Sequence, residues 1–357
     1  MANLLESKAR KIDIHTHILP PTWPNWNERF GYGGWLTMTN NGDGTARMLN
    51  SDGSIFRVVE ENCWCGEKRI TECDAKNVTI QVLSTVPGIG FNYNVPAADA
   101  LVVAQFLNDH LSGVVKESPT RFLGLGTVPM QDVNLAIVEL RRCVLELGMV
   151  GVQIGSQVNG QNLEAPYLDP FWSEVEALNC AVFLHPWDMS GDVRMKKHWF
   201  QWTLGMPHET AVAAASLCFG GVFQKHPKLR VCIAHGGGNF PALMGRMTHG
   251  FNVRPDLCQT CTDQPPAMFA KQMYFDSLVH DEDMLRLIVR KFGSDHVILG
   301  TDYPFPLGEI DRPGGLIEDV FAGEDQAEVR ERLLWKNAVE FLGLDDDGVP
   351  LKRTPEV

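Results

Sequence analysis

The stretch Lys11-Ile-Asp-Ile-His-Thr-His17 has the character of a β-strand that ends in two histidines separated by one residue. Side chains at positions i and i+2 of a strand leave the same face. His15 and His17 can therefore point into one site, and two converging imidazoles are typical of a metal site. The same pattern also arises by chance in solvated strands, so this segment alone leaves both interpretations open.

Seven further apolar, β-rich runs follow this first strand, and most are separated by stretches with helical periodicity. The eight predicted strands cover 11–15, 78–84, 121–127, 150–155, 180–184, 230–234, 273–277 and 297–301. The main predicted helices cover 98–116, 134–147, 170–179, 209–225, 281–292 and 325–341. Eight strands alternating with helices are the sequence form of a closed barrel, whereas an open doubly wound sheet usually has fewer. We predict an α/β fold, a distorted (β/α)8 barrel of the TIM type.

The connection after the first strand is much longer than the others and breaks this alternation. Within it, Thr45–Leu49 and Ile55–Glu60 flank Asn50-Ser-Asp-Gly53, and an Asp-Gly turn between two such runs predicts a β-hairpin. We expect residues 18–66 to form a small β-rich cap near the mouth of the barrel. The first barrel helix then follows at 67–77.

Length and charge restrict the class of protein. We expect residues 1–343 of the 357 to form one barrel domain and 344–357 to form a loose C-terminal tail. The formal charge of −13 argues against a nucleic-acid partner or an anionic membrane surface, because both require a basic protein surface. No apolar run approaches the roughly 18 residues of a membrane helix, so we predict no membrane span.

The cysteines bear on the compartment. Nine cysteines, an odd number without a regular framework, predict reduced thiols in a cytoplasmic protein, and the first residues lack the apolar core of a signal peptide. Cys63-Trp-Cys65 and Cys258-Gln-Thr-Cys261 together offer four thiols for a structural zinc. Buried or loop thiols are the more common explanation, because a one-residue spacer is unusual for a zinc site.

Five residues of metal-ligand type stand at the carboxyl ends of predicted strands, where the functional side chains of a barrel gather. They are His15, His17, His185, His235 and Asp302. Three neutral imidazoles and one carboxylate suit zinc and leave room for a water molecule. We predict His15, His17, His185 and Asp302 as ligands of a single ion, with Asp302 also counted as catalytic. His235, which precedes three glycines, is the candidate acid/base catalyst, although it could exchange places with a ligand.

Longer strings of residues carry a resemblance to a known family. They include Ile12-Asp-Ile-His-Thr-His-Ile-Leu-Pro20, Arg29-Phe-Gly-Tyr-Gly-Gly-Trp35, Phe56-Arg-Val-Val59, His185-Pro-Trp-Asp-Met189, Ala234-His-Gly-Gly-Gly238 and Gly300-Thr-Asp-Tyr-Pro-Phe-Pro-Leu-Gly-Glu309. With these strings the chain resembles the amidohydrolase superfamily and, within it, the decarboxylase branch, over nearly its whole length. The His-x-His pair and the strand-end aspartate are shared across the superfamily, whereas the strings beginning at His185 and Gly300 are much narrower.

The resemblance implies a zinc-dependent, non-oxidative decarboxylase of a small dicarboxylate, with one Zn2+ per subunit held by the four ligands predicted above. It also implies that His235 acts on water at the metal, and that Arg57 and Arg254 bind the substrate carboxylates. Arg254 is implied to come from the other subunit of a homodimer. The positions that line the pocket are matched by Trp187, Met189, Trp202 and Phe305. Ser51 departs from the pattern, because some relatives have a lysine there, which leaves a substrate contact at the hairpin tip without its expected residue.

Two other functions remain open from the sequence. The same site on the same barrel could serve a hydrolase or hydratase of a small dicarboxylate, because activated water also attacks esters, amides and double bonds. A non-enzymatic metal-binding barrel would be favoured had a ligand position been lost, and all four are present. Release of carbon dioxide separates a decarboxylase from both.

Overall fold

An eight-stranded parallel sheet forms the centre of the structure, a computed structural model that describes residues 9–189 and 193–353. Its strands and those of the smaller sheets are Ile12–Ile18 (β1), Thr37–Asn40 (β2), Thr45–Leu49 (β3), Ile55–Glu60 (β4), Ile80–Thr85 (β5), Phe122–Gly126 (β6), Gly151–Gly155 (β7), Gln157–Val158 (β8), Gln161–Asn162 (β9), Ala181–His185 (β10), Arg230–Ile233 (β11), Tyr274–Asp276 (β12) and Val297–Ile298 (β13). The central sheet has the order β1-β5-β6-β7-β10-β11-β12-β13. Backbone hydrogen bonds from Ile14 to Leu299 (3.0 Å) and from His17 to Tyr303 (2.8 Å) join its two ends. The predicted barrel is confirmed as a nearly closed one.

Helices follow most of the barrel strands. The α-helices are Trp26–Phe30 (α1), Gly66–Lys76 (α2), Pro87–Gly90 (α3), Ala97–Glu117 (α4), Val133–Arg141 (α5), Asp169–Ala177 (α6), Met206–Phe219 (α7), Val222–Lys225 (α8), Phe240–Val253 (α9), Pro255–Cys258 (α10), Pro266–Ala270 (α11), Glu282–Phe292 (α12), Gly315–Val320 (α13), Ala327–Glu331 (α14) and Asn337–Leu342 (α15). The helix predicted at 209–225 is divided at Gly221, where a φ of +71° is incompatible with a right-handed helix. None of the helices in the described ranges is both long and apolar enough to cross a membrane.

Alternation along the strands decides what faces the barrel interior. On β10, Val182 and Leu184 pack with helix residues such as Phe171 and Leu217. Phe183 lies on the other face, with its ring centroid 4.8 Å from that of His15 on β1. Because β1 and β10 are not neighbours in the sheet, this contact crosses the interior. Phe183 therefore forms part of the apolar floor beneath the histidines.

The insertion after β1 folds as predicted into a β-rich cap. Strands β2, β3 and β4 form an antiparallel sheet, and Gly53 donates a backbone hydrogen bond to Asn50 (2.9 Å) in the predicted hairpin turn. Trp26 and Trp35 are buried in a cluster with Leu107 of α4. A fully buried large apolar side chain stabilises by about 1.5–3 kcal/mol, so these tryptophans hold the cap on the barrel.

The chain folds back after α15, where we expect a loose tail. Leu344 forms a β-bridge with Pro350, and Arg353 donates to the carbonyl of Met149 (2.9 Å) and to that of Leu342. Residues 344–353 are therefore attached to the barrel because Arg353 finds acceptors at its base, and no sequence pattern shows those acceptors. Residues 354–357 of this expected tail lie outside the described residues, and the grouping of 1–343 into one domain stays a prediction.

Candidate metal centre and active site

The structure brings the four predicted ligands together at the rim of the barrel. His15 and His17 lie on β1, His185 ends β10, and Asp302 follows β13. Their candidate ligand atoms all lie within 4.8 Å of one another. Asp302 Oδ1 is 3.1 Å from His17 Nε2 and 3.4 Å from His15 Nε2. The pairing register of β1 shifts between Asp13 and Thr16, and such bulges re-aim side chains next to functional sites.

Each ligand histidine is held by a hydrogen bond at Nδ1, which leaves Nε2 free to face the other ligands. These bonds join His15 Nδ1 to Asp276 Oδ2 (2.7 Å), His17 Nδ1 to Ser84 Oγ (3.2 Å) and His185 Nδ1 to Pro186 O (2.9 Å). The Ser84 hydroxyl has one proton, which it donates to Gln153 Oε1 (2.8 Å) or Thr16 O (2.9 Å), so it accepts from His17. A bond of this kind fixes the tautomer of a metal-binding histidine.

The unpaired atoms at the centre fit a metal ion. His15 Nε2 and His185 Nε2 are buried and have no hydrogen-bond partner. Leaving a polar atom buried without a partner costs about 1–3 kcal/mol, and such atoms are rare in folded proteins. One divalent cation would satisfy both. The donor set of three imidazoles and one carboxylate is typical of zinc and also accepts other first-row metals.

Electrostatics at the site mostly favour the protonation states that bind metal. Burial lowers the pKa of His185 well below its usual value, and the neighbouring histidines lower it further; burial also lowers the pKa of His17. Burial alone would raise the pKa of Asp302, but His15 and His17 reverse this and bring it to about 2. His15 is the exception, because Asp302 and Asp276 raise its pKa against the effect of burial. Of the three ligand histidines, His15 is therefore the one whose surroundings favour the protonated form, which competes with metal binding.

His235, the predicted acid/base residue, lies beside the ligands. Its ring centroid is 5.1 Å from that of His15 and 5.2 Å from that of His185. Its Nδ1 is buried without a hydrogen-bond partner. Burial, followed by the nearby His15, lowers the pKa of His235 to about 4. The structure thus places a neutral imidazole next to the metal-binding group.

The three glycines after His235 allow the tight turn that aims its ring. His235 itself has a φ of +55°, and Gly236, Gly237 and Gly238 also have positive φ. A Cβ on Gly238 would lie 2.0 Å from the carbonyl oxygen of Pro207. No side chain fits there unless the backbone moves, so the glycine is required by both conformation and space.

A cavity of about 1050 Å3 opens above the ligands. Four of the six predicted substrate-binding residues line it, namely Arg57, Trp187, Trp202 and Phe305. Arg57 lies on β4 of the cap, and its guanidinium carbon is 4.4 Å from the ring centroid of Phe305. Burial lowers the pKa of Arg57, an effect that Asp302 partly offsets. The cap therefore supplies a half-buried cation to the wall of the cavity.

The two other predicted binding residues lie elsewhere in this chain. Met189 is absent from the described lining of the cavity and packs near Gly205, where an added Cβ would be 3.5 Å from Met189 Cβ. The φ of +54° at Asp188 turns the chain before Met189, which the sequence motif does not reveal. The Arg254 side chain is 56% exposed and its Nη2 is 2.7 Å from Asp256 Oδ2. Its predicted role in a second subunit stays a prediction.

Sequence analysis missed a buried arginine that joins the cap to the ligand strand. Arg69 of α2 is fully buried and donates from Nη1 to the carbonyls of His17 (2.7 Å) and Asn62 (3.0 Å). Its Nε donates to Gln81 Oε1 (3.1 Å), and its guanidinium carbon is 4.6 Å from the Tyr303 ring centroid. Arg69 thus ties the backbone of ligand strand β1 to that of the cap.

Asp276, the partner of His15, was also missed, although a signal existed. It is the last residue of β12, and the rule that selected His185 and Asp302 applies equally to it. Ser84 also stands at the predicted end of its strand, but a serine is not a typical metal ligand. Gln153 lies inside an apolar strand and is an ordinary polar residue until its neighbours are known.

Comparisons with known proteins agree with this geometry. A family model, Amidohydro_2 (amidohydrolase), matches residues 12–344. The chain is 52% identical over 338 residues to 2-amino-3-carboxymuconate-6-semialdehyde decarboxylase of Dictyostelium discoideum, covering 95% of this chain and 93% of that protein. It is 38% identical over 393 residues to the protein of the same name from Caenorhabditis elegans, covering 96% of each.

Solved structures show the same fold. Apo IDCase of Metarhizium anisopliae superimposes with a TM-score of 0.81 at 22% identity and covers 96% of this chain and 99% of its own. A dihydroxybenzoic acid decarboxylase of a Polaromonas species, solved with bound manganese, gives a TM-score of 0.74 at 24% identity, covering 94% and 97%. The resemblance drawn from the motifs is confirmed, and the chain belongs to the amidohydrolase family, among its decarboxylases.

Proposed function

We propose that this protein catalyses the zinc-dependent, non-oxidative decarboxylation of 2-amino-3-carboxymuconate 6-semialdehyde to 2-aminomuconate 6-semialdehyde. The observation that carries the proposal is the cluster of three histidines and one aspartate at the base of a cavity that also holds Arg57 and His235. The choice of substrate is supported by the names of the relatives at 52% and 38% identity. The step would belong to tryptophan–kynurenine catabolism and would limit the formation of quinolinate and NAD.

The cavity suits a flat, conjugated carboxylate. A guanidinium binds a carboxylate through two parallel hydrogen bonds, which assigns Arg57 to one of the substrate carboxylates. Trp187 and Phe305 supply apolar walls that limit the access of water to the conjugated chain. Together these side chains orient the substrate with respect to the ligand cluster.

Decarboxylation breaks the bond to the carboxylate carbon and leaves an electron pair that must finally accept a proton. When bound at the four ligands, Zn2+ supplies Lewis acidity and makes water nucleophilic near neutral pH. We assign His235 to pass a proton from solvent to the substrate carbon that loses carbon dioxide, because its ring lies beside those of His15 and His185. His15, His17, His185 and Asp302 would hold the ion.

We also propose a homodimer in which Arg254 of each subunit enters the other site. Among the described residues, Arg57 is the arginine that lines the cavity, whereas a dicarboxylate calls for a second cation. Arg254 stands on the surface next to Val253 (55% exposed) and near Leu257 (61% exposed), and apolar side chains of this size are expected at subunit contacts.

Subunit mixing tests this arrangement. In a dimer of Arg57→Ala and Arg254→Ala subunits, one site lacks both arginines and the other keeps both. Random mixing of two inactive variants should therefore restore about one quarter of wild-type activity. A mixture that stays inactive, although light scattering shows dimers, would refute the shared site.

The proposed location is the cytoplasm. All nine cysteines have free thiols in the structure, which supports a reducing compartment. Fractionation of cells followed by immunodetection tests this point.

The proposed activity is tested with purified protein and freshly generated substrate in the absence of oxygen. We expect about one zinc per chain and release of carbon dioxide, and His185→Ala should lose metal and activity together. The matched control is His296→Ala, because His296 directly precedes β13 at the opposite end of the barrel from the ligands. Incorporation of water without carbon dioxide release would replace the decarboxylase with a hydratase, and metal binding without turnover would leave a binding protein.

A further inference from the structure

Asp276 contacts two parts of the site, the metal ligand His15 and the turn that follows His235. It is fully buried at the end of β12, the strand next to β11 in the barrel. Its Oδ2 accepts a hydrogen bond from His15 Nδ1 at 2.7 Å. Its Oδ1 accepts from the backbone N–H of Gly236 (2.8 Å) and of Leu278 (3.2 Å). One carboxylate therefore binds a metal ligand and the turn that follows His235.

We propose that Asp276 is a positioning residue that selects the metal-binding tautomer of His15 and at the same time fixes the turn that carries His235. The inference rests on the metal site of the proposed function and does not depend on the substrate. Asp276 does not line the cavity, and it contacts His15 at Nδ1 and not at Nε2, the atom that faces the other ligands.

The tautomer argument follows from the acceptors. An ionised carboxylate can only accept hydrogen bonds, so His15 Nδ1 must carry the proton that lies between it and Asp276. The lone pair of His15 is then on Nε2, the atom that faces the other ligands. His17 and His185 are oriented by a hydroxyl and a backbone carbonyl, which are neutral. Bonds to an ionised partner are about twice as strong, so His15 is the ligand held most firmly.

A glycine on the neighbouring strand end makes this contact possible. A Cβ on Gly300 would lie 2.8 Å from Asp276 Cβ and 2.9 Å from His15 Cβ, closer than such atoms approach one another. Gly300 lies two residues after the end of β13 and two residues before Asp302. Because Gly300 has no side chain, Asp276 and His15 have the space to meet. The glycine at position 300 is therefore a second observation, besides the hydrogen bond, that supports this pair.

Asp276→Asn is the sharpest test, because it changes one atom and keeps the shape. The two backbone N–H groups at Oδ1 should hold the amide oxygen in that place. The amide nitrogen then faces His15 Nδ1 and donates to it, which forces the proton of His15 onto Nε2 and blocks metal binding there. We expect zinc affinity to fall by about 10–100-fold, measured without substrate by competition with a chromogenic chelator.

Two control variants separate positioning from simple loss of stability. Glu139→Gln alters another fully buried carboxylate, which accepts from Asn108 Nδ2 (2.6 Å) and Arg142 Nη2 (2.8 Å) away from the site. It should lower the midpoint of thermal unfolding and leave zinc affinity unchanged. Ser84→Ala removes the neutral partner of His17 and should weaken zinc binding less than Asp276→Asn does.

The outcomes are decisive in both directions. A loss of about tenfold or more in Asp276→Asn with unchanged affinity in Glu139→Gln supports the proposal. Affinity within about twofold of wild type in Asp276→Asn, or an equal loss in Glu139→Gln, overturns it. If Asp276→Asn does not fold, nitrogen NMR of zinc-loaded wild-type protein with labelled histidine decides instead. A His15 proton on Nδ1 supports the proposal. A His15 proton on Nε2 overturns it. None of these measurements involves turnover, so failure of the decarboxylase assay would leave them interpretable.

Discussion

Replacing Gly238 with alanine tests whether the glycine turn after His235 is required in the way the structure indicates. Gly238 has φ +56° and ψ −126°, a region that residues with a Cβ rarely adopt. The added Cβ would lie 2.0 Å from the oxygen and 2.7 Å from the carbon of the Pro207 carbonyl. These are backbone atoms at the start of α7, which no rotation of a side chain can remove.

The expected cost combines backbone strain with overpacking. A residue in such a conformation costs about 2 kcal/mol, and forcing a methyl group into filled space costs about 2 kcal/mol more. With an unfolding entropy of about 2 cal/mol/K per residue over 357 residues, a loss of about 4 kcal/mol lowers the unfolding midpoint by roughly 5 °C. The Pro207 carbonyl must also recede by more than about 1 Å, and if His235 is the acid/base residue, a displacement of that size next to it should cost about 100-fold in rate.

The assay pairs thermal unfolding of the zinc-loaded protein with measurement of kcat/KM. Gly113→Ala is the matched control, because Gly113 is exposed within α4 and an added Cβ would meet no atom within 4 Å. The free energy of unfolding of that variant should rise by up to about 1 kcal/mol, because glycine is a poor helix former. Its kcat/KM should equal that of the wild type. A Gly238→Ala protein with the midpoint and kcat/KM of the Gly113→Ala control would refute our account of the turn.

Further predictions concern the cation, the metal and acid stability. Arg57→Gln should lower kcat/KM by about 100-fold, because a bidentate ionic contact worth about 3 kcal/mol is lost, and its zinc content should stay the same. The control is Arg47→Gln on the neighbouring cap strand. An equal loss of kcat/KM in both variants would count against a role for Arg57. Removing metal with a chelator should lower the midpoint of thermal unfolding by roughly 4 °C, compared with protein in a zinc concentration about 100 times the Kd for zinc. Adding zinc or manganese should restore the midpoint. Calorimetry that shows no shift of the midpoint would contradict a metal site. Burial lowers the pKa of His110 to about 4, so the unfolded chain takes up a proton below about pH 6.5 that the native protein refuses, and stability falls as pH drops from about 6.5 toward 4. His110→Gln should therefore flatten the decline of the unfolding midpoint between about pH 7 and pH 5, and an unchanged decline would show that other groups cause it.

Much of the barrel could be predicted because each strand is a short apolar run bounded by helices. All eight strands were placed to within a few residues, and the least accurate ends are that of β1, which was predicted to end at residue 15 and ends at Ile18, and that of β13. We predicted it over 297–301, whereas its ladder ends at Ile298. Beyond that point Gly300 N donates to the side chain of Ser277 (3.4 Å) instead of the β12 backbone. A side-chain acceptor on a neighbouring strand cannot be read from the β13 sequence.

The ligands were predictable because strand ends bring separate residues to one rim, whereas their supports were not. Asp276 obeys the same rule and was overlooked among other strand-end residues. Arg69 could not have been found, because a charged residue in a helix is normally on the surface and only the structure shows three acceptors around it. The role of Met189 in substrate binding stays a prediction, and the φ of +54° at Asp188 turns the chain just before it, which the motif does not reveal.

The formal charges around the cavity bear on how a dicarboxylate substrate would bind. Arg57 contributes +1, whereas Glu60, Asp302 and Asp311 of the cavity lining and the buried Asp276 contribute −1 each, so this group has a formal charge of −3 in a chain whose total is −13. A dicarboxylate is repelled by such a site, and a divalent ion changes the local sum only to −1. A local charge of −1 does not balance two carboxylates that lose their hydration in a half-enclosed cavity. The electrostatics of the single chain therefore favour an additional cation at the cavity mouth, which is the role that the proposed dimer gives to Arg254.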